Sequence, residues 1–196
     1  ARVLMTTPGA TRWYFSDERT ATLTQGARVA DAAMLEWLPQ ETLLFDGAHA
    51  RATTRIELEG KARYLGCEIT GLGRPACGER FTHGQLDLRF ELLRDGRLLV
   101  RERLVARGAP AGMRGNTALM TFIASGADVA ALEAAREQCA AVSGALCAAT
   151  LIDDVLICRG LAEECAPLII ASRQLRQTVR PLVFGAAAAQ PRIWRT

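Results

Sequence analysis

A chain of 196 residues with 49% hydrophobic and 23% charged content can bury a substantial core, which argues against a disordered protein. Its net charge of +3 is too small to indicate nucleic acid as a partner. No apolar run approaches the roughly 20 residues that cross a bilayer, and no basic-then-apolar leader indicates secretion, so a cytoplasmic location is expected.

The chain opens on Ala1 rather than methionine and runs straight into the apolar Val3-Leu4-Met5, which reads as a fragment whose beginning is absent. Thr20–Thr24 and Arg55–Glu59 alternate with the two-residue period of half-buried strands. Between them, Leu35–Ala48 is an apolar run interrupted by Pro39, which argues for an edge or a bend because proline donates nothing to a ladder. Gln85–Leu104 predicts a hairpin. Leu86, Leu88, Phe90 and Leu92 share one face, and Asp95-Gly96 supplies the positive φ angles of the turn.

Composition shifts after Arg107. Residues 108–116 read as a loop, and 117–196 as strand, helix, strand, strand and helix, continuous with a β-rich core over 1–107. A strand is expected near Thr117–Ala124. Asp128 caps a helix to Val142, strands follow at Leu146–Ile152 and Val155–Arg159, and a second helix runs from Ala162 to Val179, ending before Pro181. The fold class is therefore α+β, predominantly β, with stacked or mixed sheets in the N-terminal part and both helices in the C-terminal part. No internal repeat is visible.

Enzyme templates find little support. Ser125-Gly126 and Ser143-Gly144 lack the nucleophile-elbow pattern, and the lone lysine, Lys61, follows Gly60 outside any phosphate loop. Gly71-Leu72-Gly73 starts like a dinucleotide fingerprint, but Pro75 and Cys77 stand where its helix would begin. The six cysteines (67, 77, 139, 147, 158 and 165) lack knuckle spacing and are expected as reduced thiols.

Metal chemistry has more material. His49 lies near Asp46, His83 near Glu79, and Cys67 beside Glu68, a donor set suited to a borderline ion such as Ni²⁺ but without ligand-pair spacing. Glu36, Glu41, Asp46, Glu68 and Glu79 sit in or beside apolar segments, where a carboxylate needs a partner or water. Two readings stay open: ion pairs with Arg12, Arg63 or Arg74, or successive weak oxygen contacts along an internal passage for a cation. From Arg173 onward five arginines face no acidic residue, either a solvated face with a tail or a docking patch.

Four segments, Thr6–Arg12, LEWLPQETLLFDGA over Leu35–Ala48, LGRPACGE over Leu72–Glu79, and the closing PRIWRT, resemble in order and spacing the urease accessory protein UreD (UreH) family. The resemblance implies a mostly β protein with two helices and no catalysis of its own. It also implies binding to apo-urease and to a helical UreF-type accessory protein, and through the latter to a UreG-type nickel-carrying GTPase. No cofactor would be tightly held; Ni²⁺ would pass through transiently, with neither nucleic acid nor membrane involved.

Carried over by position, Glu68 is the first passage carboxylate, followed by Glu36 and Asp46, with His49, Cys67, Glu79 and His83 as weaker metal candidates. Arg173, Arg176, Arg180 and Trp194 are candidates for partner contact, burial of Trp194 in the protein's own core being the alternative. Two departures stand out: the family's glycine-rich N-terminal portion is absent from this sequence, and Cys67 replaces an aromatic residue, commonly tryptophan. The rival readings are a β-rich interaction module unrelated to urease, and a metal-dependent hydrolase with a tight site at His49 or His83.

Overall fold

Parallel pairing organises the first hundred residues of the computed structural model, which describes residues 1–195. The strands come in three sets: β1 (Arg2–Met5), β2 (Thr11–Trp13) and β3 (Ala21–Val29); β4 (Met34–Trp37), β5 (Thr42–Leu44) and β6 (His49–Leu58); β7 (Arg63–Arg74), β8 (Glu79–Arg80) and β9 (Gln85–Arg94). Each set is one coil stacked on the next. β1 pairs with β4 and β4 with β7, β2 pairs with β5 and β5 with the far half of β7, and β3 pairs with β6 and β6 with β9, all in parallel. The backbone thus repeats where no repeat was expected. Equivalent positions need not carry like side chains: Met5, Trp37 and Gly66 share one register position. The expected bend at Pro39 is the corner between β4 and β5, which pair along successive halves of β7.

β10 (Arg97–Arg107) folds back antiparallel on β9 through Asp95 (φ 48°) and Gly96 (φ 78°), as the hairpin pattern requires. The segment at 108–116 contains a short 3₁₀ turn at Ala111–Met113, which buries Met113. Beyond it β11 (Ala118–Ser125) pairs with β7, β13 (Val155–Ala162) with β11, and β12 (Leu146–Ile152) closes the edge. The large sheet has the spine β1-β4-β7-β11-β13-β12 and the small sheet the order β10-β9-β6-β3. The fold is α+β and predominantly β.

Helix α1 (Val129–Ala141) starts where expected, with the Asp128 carboxylate accepting a 3.0 Å bond from the Ala131 N–H. Helix α2 (Cys165–Phe184) departs from expectation at both ends. Ala162 remains in β13, and Pro181 lies inside the last turn, where a missing donor costs one bond but buried Val183 and Phe184 hold the turn against the sheet. The helix ends at Gly185, whose φ of 64° permits the left-handed cap. Among the described residues no helix is long and apolar enough to cross a membrane.

Three layers result: helices, large sheet and small sheet. One apolar cluster joins the helices to the large sheet through Leu65, Cys67, Phe122, Leu168 and Leu175. Two further clusters lie between the sheets. One gathers Ile56, Tyr64, Leu92, Ile123 and Ile157; the other gathers Trp13, Leu44, Leu72 and Leu86, with Leu119 and Leu161 against it.

Candidate functional site

What separates the two inter-sheet clusters is polar. Successive inward side chains run Tyr64, Gly66, Glu68, Thr70 and Leu72 on β7, Ile123, Thr121 and Leu119 on β11, and Ile157, Arg159 and Leu161 on β13. The small sheet answers with Leu23, Gln25 and Ala27 on β3, Ala52, Thr54 and Ile56 on β6, and Val100, Glu102 and Leu104 on β10. Register ties these levels together. Glu68 is opposite Thr121 and Thr121 opposite Arg159; Gln25 is opposite Thr54, Thr54 opposite Phe90, and Phe90 opposite Glu102. A belt of six polar residues, broken only by Phe90, crosses the sandwich between two apolar layers.

The belt lines a cavity of about 530 Å³ whose wall includes Gln25, Thr54, Glu68, Thr121, Glu102 and Arg159. Two hydrogen bonds span it. The Thr54 hydroxyl donates to Glu68 Oε1 at 2.9 Å, and Arg159 donates to Glu102. Burial pushes the Glu68 carboxyl up from its ordinary range, and the Thr54 bond offsets this only in part. Next to it, the Tyr64 ring lies over Gly66, where an added Cβ would fall 1.9 Å from the Tyr64 hydroxyl; glycine is needed there for close approach rather than for φ.

The other nominated residues lie elsewhere. Cys67 is adjacent to Glu68 in sequence but points to the opposite face of β7, as strand alternation demands. Its thiol, raised by burial, meets Ser172 of α2. The two cannot share an ion. Glu36 also faces the helices, buried to 3% exposure, where it receives Arg176 Nε and Arg180 Nε at 2.7 Å each. Both its oxygens are occupied by arginines other than those expected, and the same guanidinium groups donate to the carbonyls of Ala186, Ala187 and Ala189.

The tail after α2 is thus held by an ion triad. Arg176 and Arg180, candidates for a docking face, are turned inward; Arg173 and Arg176 stack on Trp194, whose indole N–H donates to Thr6 Oγ1 at 3.2 Å. Arg63, expected beside a carboxylate, donates instead to the Val183 carbonyl near the C-terminus of α2.

Asp46 organises a surface loop. Its Oδ1 accepts the Thr82 and His83 backbone N–H groups at 2.7 Å each, and its Oδ2 lies 3.2 Å from His83 Nδ1. Glu79 pairs with Arg74, as expected, and also accepts the Asp46 backbone N–H. His83 therefore neighbours Asp46 rather than Glu79, and His49, partly buried at the start of β6, is opposite Gln85. The His83 backbone bond, with its side-chain bond and those of Thr82, holds the Asp46 carboxyl at about 2, below the ordinary 3.8.

A depressed carboxyl contributes stability above its unfolded value and loses it as pH falls through the folded one. The Thr82 and His83 amide resonances are accordingly expected to titrate together with a midpoint near pH 2. Titration of both near 3.8, or of neither, would contradict this assignment.

Sequence reasoning missed Gln25, Thr54, Thr121, Glu102 and Arg159. The available signal was the single polar residue interrupting each inward apolar series, which becomes informative only once the strands are aligned.

Residues 1–195 match the family described as UreD urease accessory protein. The chain is similar to the urease accessory protein UreD of Alcanivorax borkumensis, at 38% identity over 100% of this chain and 69% of the relative. It is likewise similar to that of an Azoarcus species, at 38% over 100% and 71%. A third relative, urease accessory protein UreD 2 of Brucella anthropi, is 36% identical over 100% and 74%.

Proposed function

Because the chain belongs to the UreD urease accessory protein family, we propose that it acts in urease maturation as a non-catalytic scaffold conducting Ni²⁺ along the polar belt between its sheets. The observation that carries this reading is the cavity itself, with Glu68 in its wall and hydroxyl, amide and carboxylate groups at one level of five strands. Isolated oxygen donors bind a divalent ion weakly and leave it free to move on, as multi-site conduction requires. Nickel is cargo in this scheme. Its source is a UreG-type GTPase, reached through a UreF-type helical protein, and its destination is apo-urease.

Glu68 is the one nominated carboxylate that this reading keeps on the route. Glu36 and Asp46 have their oxygens committed elsewhere and hold the C-terminal tail and a loop in place. The test is reconstitution of urease with its accessory proteins, with and without this chain. Nickel-dependent urease activity should appear only when the chain is present, and the chain alone should turn over nothing. Full activation in its absence would overturn the proposal.

A further inference from the structure

At the outer end of the belt an ion pair spans the two sheets. Arg159 on β13 and Glu102 on β10 reach across from opposite sheets and bond to each other, their side chains 56% and 27% exposed, whereas Glu68 lies deeper, two strands away from Arg159 in register. At about 4.8 Å per strand, that offset is roughly 10 Å along the belt. Arg101 and Arg103, the neighbours of Glu102 in β10, alternate to the outer face of the small sheet, where they pair with Glu91 and Asp87, so Arg159 is the guanidinium that meets Glu102 at the mouth.

A guanidinium at the mouth opposes a divalent cation, and Glu102 has one oxygen committed to it. β10 is also the terminal strand of its sheet, so the rim is open to a neighbour.

We propose that Glu102 is a second carboxylate station for the divalent ion, masked by Arg159 until a carboxylate side chain of the docking partner draws the guanidinium away. The inference rests on the passage reading above and adds to it the residue that masks the outer station and the chemistry of the group that unmasks it. No bond is made or broken beyond exchange of one ion pair for another: Arg159 passes from Glu102 to the partner's carboxylate, and Glu102 passes from Arg159 to the metal. An arginine at this position also makes opening conditional on docking, because free cations cannot displace a guanidinium as an acidic side chain can.

The test uses the full chain and Ni²⁺ alone, by equilibrium dialysis. Arg159→Gln unmasks Glu102 and is expected to bind Ni²⁺ about tenfold more tightly than the unaltered protein, the gain of one charged contact. Arg159→Gln combined with Glu102→Gln should lose that gain. Both side chains reach solvent, so the exchange is expected to leave the fold intact, and thermal melting of each variant checks this.

Unchanged affinity in a folded Arg159→Gln protein, or a gain that survives Glu102→Gln, overturns the masking role. Failure of the passage reading looks different: the Glu102-dependent gain would persist while Glu68→Gln left nickel delivery to urease intact.

Discussion

Replacing Glu36 with alanine should lower the stability of the protein by about 3–5 kcal/mol, the cost of removing one partner from a buried ion pair. Arg176 is 4% exposed and Arg180 nearly as enclosed, so removal of the carboxylate strands at least one guanidinium in the interior. Their bonds to the Ala186, Ala187 and Ala189 carbonyls remain but do not neutralise charge. At about 2–4 °C per kcal/mol for a chain of this size, the melting temperature should fall by roughly 10 °C.

Glu36→Leu combined with Arg176→Met should recover much of the loss, because apolar replacement of a whole buried pair is often neutral. Differential scanning calorimetry of the single and double variants measures both. A melting temperature unchanged in Glu36→Ala would show that this carboxylate is free, as a passage-lining role would require, and would undo its assignment as the anchor of the tail.

Glu68 should behave in the opposite way. Its carboxyl is raised by burial, so the folded state holds a proton that the unfolded chain has already released, and stability falls as pH rises from the ordinary carboxyl range near 4.5 through the folded value. Glu68→Gln removes that penalty while its amide oxygen still accepts the Thr54 hydroxyl. The variant should melt higher than the unaltered protein at neutral pH, by an amount that disappears in acid. Urease activation should nevertheless drop at least about tenfold, since a contact to a charged group is worth about 1.5–3 kcal/mol. A protein made more stable and less competent by one substitution is the signature of a carboxylate retained for function. If Glu68→Gln melted lower and activated urease normally, the residue would be structural.

Local pattern carried the elements that stand on their own chemistry. The Asp95-Gly96 turn, the Asp128 cap and the alternating faces of β9 were legible because each is fixed within a few residues. Pro39 marked a corner for the same reason.

The coiled stacking was not legible. Parallel pairing of β1, β4 and β7 is a long-range choice, and its equivalent positions carry no consistent residue pattern. The end of α2 was misjudged because a proline rule outweighed the burial of Val183 and Phe184, visible only in the packed structure.

The site divided in the same manner. Glu68 could be nominated from its apolar surroundings, but so could Glu36, and nothing in the sequence told which face of its strand each would occupy. Cys67 and Glu68, neighbours in the chain, lie on opposite sides of a sheet. Thr121 and Arg159 join Glu68 only through β11 and β13, more than fifty residues downstream. Docking residues were sought where arginines outnumber acids, in α2; there the structure finds Arg176 holding Glu36, while the guanidinium at the mouth of the cavity is Arg159 of β13.

The central claim is that nickel reaches urease by way of Glu68 inside this protein. Metal analysis of urease matured by complexes assembled with either the unaltered chain or Glu68→Gln tests it most directly, the two complexes first being matched for composition. The account predicts nickel-filled urease from the first and largely empty urease from the second, with assembly equal; equal nickel content from both would contradict it.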